Sequence, residues 1–108
     1  MDKDTLEKMA ISAFGNAQAA RDSLYAAAEN NIATKEALET AKVEIALSGK
    51  LDGKNADLRK AQAQTLLAEQ FLALTIAERA ERAARYHFDK AALDVDTAKT
   101  LLQIAELP

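Results

Sequence analysis

Side chains that carry out chemistry are sparse in this sequence, and those present lack the spacing that catalysis needs. His87 is the only histidine, and Ala84 stands where the Glu-x-x-His spacing of metal sites in helix bundles needs a glutamate. The chain has no cysteine, which excludes thiolate chemistry and cysteine-based zinc sites. Three carboxylates have the spacing of exposed helix residues, where too little burial is expected for acid–base catalysis: Asp89, Asp94 and Asp96. We therefore predict no enzyme, no metal site and no cofactor.

The arginines form one cluster that ends at an aromatic ring and is a candidate for binding a partner: Arg79, Arg82, Arg85 and Tyr86. Steps of three residues place the arginines along one side of a helix, where guanidinium groups bind phosphate or carboxylate. Glu78 and Glu81 each precede an arginine by four residues, which is also the spacing of salt bridges along an exposed helix face. Both interpretations stay open, and Lys50 and Lys54 are further candidates for binding anions or nucleic acid.

The segment Gly49–Asn55 is the one clear loop, and its order of glycines and lysines is close to that of a phosphate-binding loop. It is one residue short between the glycines, and Asn55 replaces the Ser or Thr that holds magnesium. A helix precedes it where a strand is needed, so we do not predict nucleotide binding there. Gly49 suits a left-handed helix C-cap and Asn55 suits an N-cap.

The remaining chain has the composition of one all-α domain over residues 1–108. We predict helices over about residues 4–48 and 55–107, joined by a loop over 49–54. The second helix contains neither Gly nor Pro, because the glycines lie earlier and the single Pro is the last residue.

The first helix has candidate caps and one candidate break. Asp2 or Asp4 can cap its start, and Glu7 follows Asp4 at the spacing of a capping box. The pair Asn30-Asn31 has poor helix propensity and can bend or interrupt the helix. We favour one continuous helix over two shorter ones.

Both helices carry a seven-residue repeat that is typical of a coiled-coil seam. In the second helix, small residues recur every seventh position, and larger ones follow four residues later, beginning with Ala63 and Leu67. In the first helix the repeated small positions are Ala13, Ala20, Ala27, Thr34, Ala41 and Ser48. A turn centred on Asp52 predicts an antiparallel hairpin in which Ala13 faces Ala91, Thr34 faces Gln70 and Val95 lies near Ala10. The repeat is imperfect at Gln70 and at Glu81.

A second apolar stripe on each helix is not used by this seam. The first helix carries Ile11, Phe14, Tyr25 and Ile32, and the second carries Leu58, Leu72, Ile76, Tyr86, Leu93, Leu101 and Ile104. Because soluble monomers rarely leave such stripes exposed, we predict that two hairpins dimerise into a four-helix bundle. The interface is expected at Leu72, Ile76, Tyr86 and Leu93. A compact three- or four-helix monomer is the alternative, and it needs breaks near Asn30 and His87.

The loop and the start of the second helix, over about residues 49–70, resemble a pattern of small helical proteins of tailed phages and prophages. The likeness rests on the order Gly53, Lys54, Asn55, Ala56, Asp57, Leu58 and Arg59, followed by a helix rich in Ala, Gln, Leu and Glu. The resemblance implies an accessory phage protein that has no assigned reaction.

Charge and composition narrow the classes of function further. The net charge of −3 argues against a dedicated nucleic-acid binder, which is usually basic. The start of the chain is acidic and lacks the apolar core of a signal peptide, and no stretch has the apolar length of a membrane span. We therefore predict a protein of the cytoplasm, or of the host cytoplasm if phage-encoded. Its expected role is non-enzymatic protein–protein interaction and oligomerisation, and the alternative role is anion or nucleic-acid binding through the Arg cluster.

Overall fold

The computed structural model describes residues 2–108, and the regular structure of these residues is entirely helical. Helix α1 spans Lys3–Leu47, α2 spans Ala56–Leu66 and α3 spans Ala68–Ala105. The long helices α1 and α3 pack against each other, which confirms the prediction of an all-α helical hairpin. The second half differs in one respect, because two helices stand where the sequence predicted one.

Helix α1 is continuous through the polar pair at its centre. Asn31 is buried, and the helix continues through it without a break. The cap at the start is Asp2, whose Oδ1 accepts a hydrogen bond of 2.8 Å from the Thr5 backbone N–H. Asp4 lies inside the first turn, where its carboxylate pairs with Lys8 at 3.3 Å. The capping box expected from Asp4 and Glu7 is therefore replaced by a cap two residues earlier.

The connection between α1 and α2 uses its two glycines for different reasons. Gly49 has φ +77°, the left-handed conformation expected of a helix C-cap. Gly53 is needed for close approach, since a Cβ there would lie 2.8 Å from the Cβ of Leu58. Asn55 caps α2 as predicted, with its side chain accepting from the Leu58 backbone N–H at 2.9 Å. The loop therefore lies against the first turns of α2.

Leu67 separates α2 from α3 and is the most deeply buried large side chain, with 2% of its surface exposed. Its backbone has φ −105° and ψ 17°, outside the helical range. The hydrogen-bond ladder still continues on both sides, from Leu67 N–H to Ala63 and from Phe71 N–H to Leu67. The deviation is thus confined to one residue of the repeat, and that residue remains on the buried side.

The chain divides into two compact units, and α1 and α3 contribute to each. One unit comprises the residues up to Ala27 together with Glu81–Pro108, and the other comprises Ala28–Ala80. In the first unit a buried cluster joins the two helices, with Ala17 and Leu102 packed against it; its members are Ala10, Ala13, Val95 and Ala98. Ala13, Val95 and Ala98 are positions of the two repeats, so the repeats identified these buried faces correctly.

The register of the two helices differs from the prediction. Ala13 clusters with Val95 and Ala98, about one helical turn along α3 from the predicted partner Ala91. Val95 lies in one cluster with Ala10, as the hairpin predicted. The loop also folds onto α2 instead of forming a symmetric turn about Asp52.

The second unit contains the polar interruption of the seam. Thr34 and Gln70 are both half-buried, and Asn31 is buried, so the predicted polar positions do face inward. The Thr34 hydroxyl donates to the Asn30 carbonyl one turn earlier, at 2.7 Å. The Oε1 atom of Gln70 is buried and accepts no hydrogen bond from residues 2–108. This oxygen lowers the stability of the folded state, because a buried acceptor without a donor loses its hydrogen bonds to water and gains none in return.

Candidate interaction surface

The apolar side chains predicted to form an oligomer interface are exposed on α3. Leu72 is 60% exposed, Ile76 59%, Tyr86 65% and Leu93 64%. They follow helical steps of four and seven residues, with the longer interval after Ile76 occupied by Arg79 and Ala83. We call these four residues the outer stripe of α3. The structure leaves each of them available for contact with another molecule.

Leu93 of the outer stripe lies on the side of α3 that is turned away from the cluster shared with α1. Leu93 and Val95 are only two residues apart, which is about 200° around a helix. Val95 is buried in the cluster shared with α1, whereas Leu93 is exposed. A contact at Leu93 therefore leaves the buried cluster undisturbed.

A shallow groove runs beside Leu93 on the same side of the helix. Its volume is about 330 Å³, and its walls are Leu93, Asp96, Thr97, Thr100 and Leu101. The groove combines apolar side chains with a carboxylate and two hydroxyls. An apolar surface bordered by polar groups is the usual composition of a protein–protein contact.

The arginine cluster is adjacent to the outer stripe along α3. Arg85 pairs with Glu81 at 3.8 Å, as its spacing predicts. The pair predicted between Glu78 and Arg82 does not form, and no ion pair in the described residues involves Arg79 or Arg82. The cluster is thus only partly neutralised by neighbouring carboxylates.

The ring of Tyr86 extends the cluster toward the outer stripe. It meets the His87 ring edge-on, with the two ring centroids 5.6 Å apart. Tyr86 therefore belongs to both predicted surfaces, the basic cluster and the outer stripe.

The two candidate lysines lie in the connection between α1 and α2, where the structure also forms a hollow. The hollow has a volume of about 670 Å³ and is lined by Lys50, Asp52, Gly53, Leu58, Ala61, Gln62, Thr65 and Leu66. Lys50 contributes to this lining and Lys54 does not. Its apolar walls are Leu58 and Leu66, which are half exposed. The hollow is therefore an apolar depression with one cation at its edge.

The sequence did not predict this hollow, because the hollow depends on how the loop folds against α2, and the residue types alone do not indicate that fold. The Gln62 side chain accepts from the Gly53 backbone N–H at 2.9 Å and donates to the Asp52 carboxylate at 2.6 Å. Arg59 donates to the Gly53 carbonyl at 3.1 Å. The glycine at position 53 was a usable signal, since a Gly close to a helix start often permits close backbone approach.

Two further observations concern the whole described chain. Within residues 2–108, no helix combines the length and apolar character that crossing a membrane requires. The same residues contain no cluster of three or more histidine and carboxylate side chains suited to a metal ion.

Neither a protein-family model, nor a curated protein, nor a solved structure gives a significant match to this chain. The resemblance of the loop and α2 to helical phage proteins therefore remains a prediction. What can be said about function rests on the surfaces described above.

Proposed function

We propose that this chain is a non-enzymatic helical module that acts by protein–protein interaction, and that it oligomerises through the outer stripe of α3. The observation that carries the proposal is the exposure of Leu72, Ile76, Tyr86 and Leu93, which are all between 59% and 65% exposed. A contact that covers these side chains removes apolar surface from water, and this is the main driving force of association.

The driving force that one residue of the stripe supplies follows from its exposed surface. Full burial of a Leu, Ile or aromatic side chain contributes about 1.5–3 kcal/mol. Since roughly two thirds of Leu93 remains to be covered, its burial contributes about 1–2 kcal/mol, and a symmetric dimer contains it twice. The stripe as a whole therefore supplies several such contributions to offset the entropy lost on association.

The proposal is tested by changing one residue of the stripe and measuring the mass of the protein by light scattering after gel filtration. Leu93→Asp is expected to raise the dimer dissociation constant by about 30- to 1,000-fold, which corresponds to roughly 2–4 kcal/mol per dimer. Because Leu93 is exposed in the hairpin, the helix content measured by circular dichroism should stay unchanged.

Val43→Asp is the matched control. Val43 is 58% exposed and lies on α1, so it presents the same change in chemistry at similar exposure outside the stripe. The proposal expects its mass to equal that of the unaltered protein. Equal dissociation by Val43→Asp and Leu93→Asp, or no dissociation by Leu93→Asp, contradicts it.

A second candidate function is the binding of nucleic acid or another anionic ligand through the basic cluster. It is favoured by the exposed Arg79 and Arg82, which make no ion pair in the described residues. Fluorescence anisotropy with a labelled single-stranded oligonucleotide tests it. Binding that weakens steeply between 50 and 200 mM salt, on the order of the counterion-release slope, supports the idea. Absence of binding at low salt removes it.

Two parts of the wider proposal concern origin and location. An accessory role in a phage is consistent with the pattern Gly53–Arg59, and the lack of cysteine fits the reducing cytoplasm. Both are predictions from the sequence, and expression of a tagged protein with fractionation of the cells tests the second.

A further inference from the structure

We infer that the part of the outer stripe from Tyr86 to Leu93 packs against the same segment of α3 in a second copy, and that the two α3 helices run antiparallel about a two-fold axis close to Phe88. The inference rests on the proposed function, since it specifies the partner and geometry of that surface. It is carried by the order of charged, aromatic and small residues along the exposed side of α3.

The exposed side of α3 contains a second seam between residues 83 and 97. Ala83, Tyr86, Lys90, Leu93 and Thr97 follow alternating steps of three and four residues, and all of them are exposed. This spacing is the one that two helices need in order to interlock along their length. The residues on the opposite side of α3 are occupied by the contact with α1.

A parallel pair of helices is disfavoured by this order of residues. In a parallel dimer each seam residue faces its own copy. Lys90 then faces Lys90 of the second copy, which places two like charges directly opposite each other inside an apolar contact.

An antiparallel pair removes this conflict. Lys90 then faces Tyr86 of the second copy, where an ammonium group and an aromatic ring attract each other. Leu93 faces Ala83 of the second copy, so that a large side chain meets a small one. The two-fold axis repeats both contacts.

The charges beside the seam agree with the same register. Arg82 comes next to Asp96 of the second copy, and neither residue has an ion pair within the described part of its own chain. Asp96 also lines the groove beside Leu93, so the carboxylate borders the proposed contact. A shift of the register by seven residues places Lys90 in one direction against Leu93 of the second copy, which buries a charge against an apolar side chain, and in the other direction against Arg79, which sets like charges opposite each other.

The register has one unfavourable consequence that serves as a check. The two Asp89 side chains meet across the axis, and like charges at this position oppose association. Asp89→Asn is therefore expected to tighten the dimer by about two- to fivefold, on the scale of a single exposed charge interaction.

Charge reversal tests the pairing of Arg82 with Asp96. Arg82→Asp alone and Asp96→Arg alone are each expected to raise the dissociation constant by about 2- to 30-fold, because each change affects two symmetric pairs. The double variant restores opposite charges and should recover most of the affinity. Lys35→Asp, an equal charge reversal on α1, is the control and should leave the dissociation constant unchanged.

Orientation is tested directly by one spin label per chain. The protein has no cysteine, so Gln103→Cys provides the only thiol for a nitroxide at an exposed position of α3. Pulsed dipolar spectroscopy of the full chain should give a distance of about 45 Å between the two labels. Each label lies about 15 residues from the axis, on opposite sides of it, and a helix rises about 1.5 Å per residue.

The other outcomes separate the inference from the proposed function. A distance below about 20 Å shows a parallel dimer, and one near 35 or 55 Å shows the register shifted by seven residues in one direction or the other; each of these results overturns the inference and leaves the proposed function standing. A dimer whose affinity is insensitive to Leu93→Asp overturns both, because the contact then lies elsewhere. Absence of dipolar coupling together with a monomeric mass refutes the proposed function itself.

Discussion

The loop between α1 and α2 gives the sharpest prediction about stability, because one side chain holds it. Gln62 makes two hydrogen bonds to the loop, accepting from the Gly53 backbone N–H at 2.9 Å and donating to Asp52 at 2.6 Å. Gln62→Ala removes both bonds and leaves the half-buried Gly53 N–H without its acceptor. At about 0.5–1.5 kcal/mol for each bond, we expect a loss of about 1–3 kcal/mol.

The assay is thermal unfolding followed by circular dichroism, with all proteins at one concentration because association raises the apparent stability. A loss of this size lowers the melting temperature by about 4–15 °C in a domain of this length. Gln64→Ala is the control, since Gln64 lies exposed on the same helix and makes no hydrogen bond to the loop. Alanine improves helix propensity in both variants, so the difference between them isolates the loop contacts. Equal melting temperatures refute the reasoning.

Three further predictions concern single residues. Gln70→Met is expected to stabilise the protein by about 1 kcal/mol in urea unfolding, because it removes a buried oxygen that has no donor; a destabilised variant contradicts this. Gly53→Ala is expected to destabilise it by about 1–3 kcal/mol, since the new methyl group would lie 3.0 Å from the Arg59 backbone nitrogen. Hydrogen bonds from the Thr5 backbone and then its hydroxyl hold the pKa of Asp2 below its ordinary value of 3.8. The cap therefore stabilises the start of α1 above pH 3.8, and this stabilisation is lost as the pH falls through the lowered pKa of Asp2. The amide chemical shift of Thr5 should report this loss as a step in a pH titration. The Asp2→Ala variant should show no such step.

Much of the fold follows from helical periodicity. The seven-residue repeats identify the faces that α1 and α3 bury, and the caps at Gly49 and Asn55 have the predicted roles. These features depend on local residue order, which the sequence contains in full. The continuity of α1 through Asn30 also follows, because strong helix formers surround the pair.

The register and the break at Leu67 did not follow from the sequence. Both depend on how two surfaces fit together: Ala13 clusters with Val95 and Ala98, and Leu67 leaves helical geometry while staying buried. Equal seven-residue periods fit in more than one register, so periodicity alone does not choose between them. No residue near Leu67 is a helix breaker, and the structure offers no local cause for the break.

For the candidate surface, the sequence predicted the exposed apolar stripe, but it did not predict which of the neighbouring charged residues form salt bridges. Leu72, Ile76, Tyr86 and Leu93 are exposed because they fall outside the seam repeat. Of the two salt bridges expected from i,i+4 spacing, only Glu81–Arg85 forms. Exposed helix pairs contribute only about 0.3–0.5 kcal/mol, so spacing does not determine which of them form.

The most direct test of the central claim is sedimentation equilibrium of the unaltered protein over a wide range of concentration. The outer stripe of α3 predicts a species of twice the chain mass of 11.7 kDa, which dissociates on dilution. A mass of 11.7 kDa at every concentration, up to the millimolar range, would show that the exposed stripe does not associate with itself and would contradict the account.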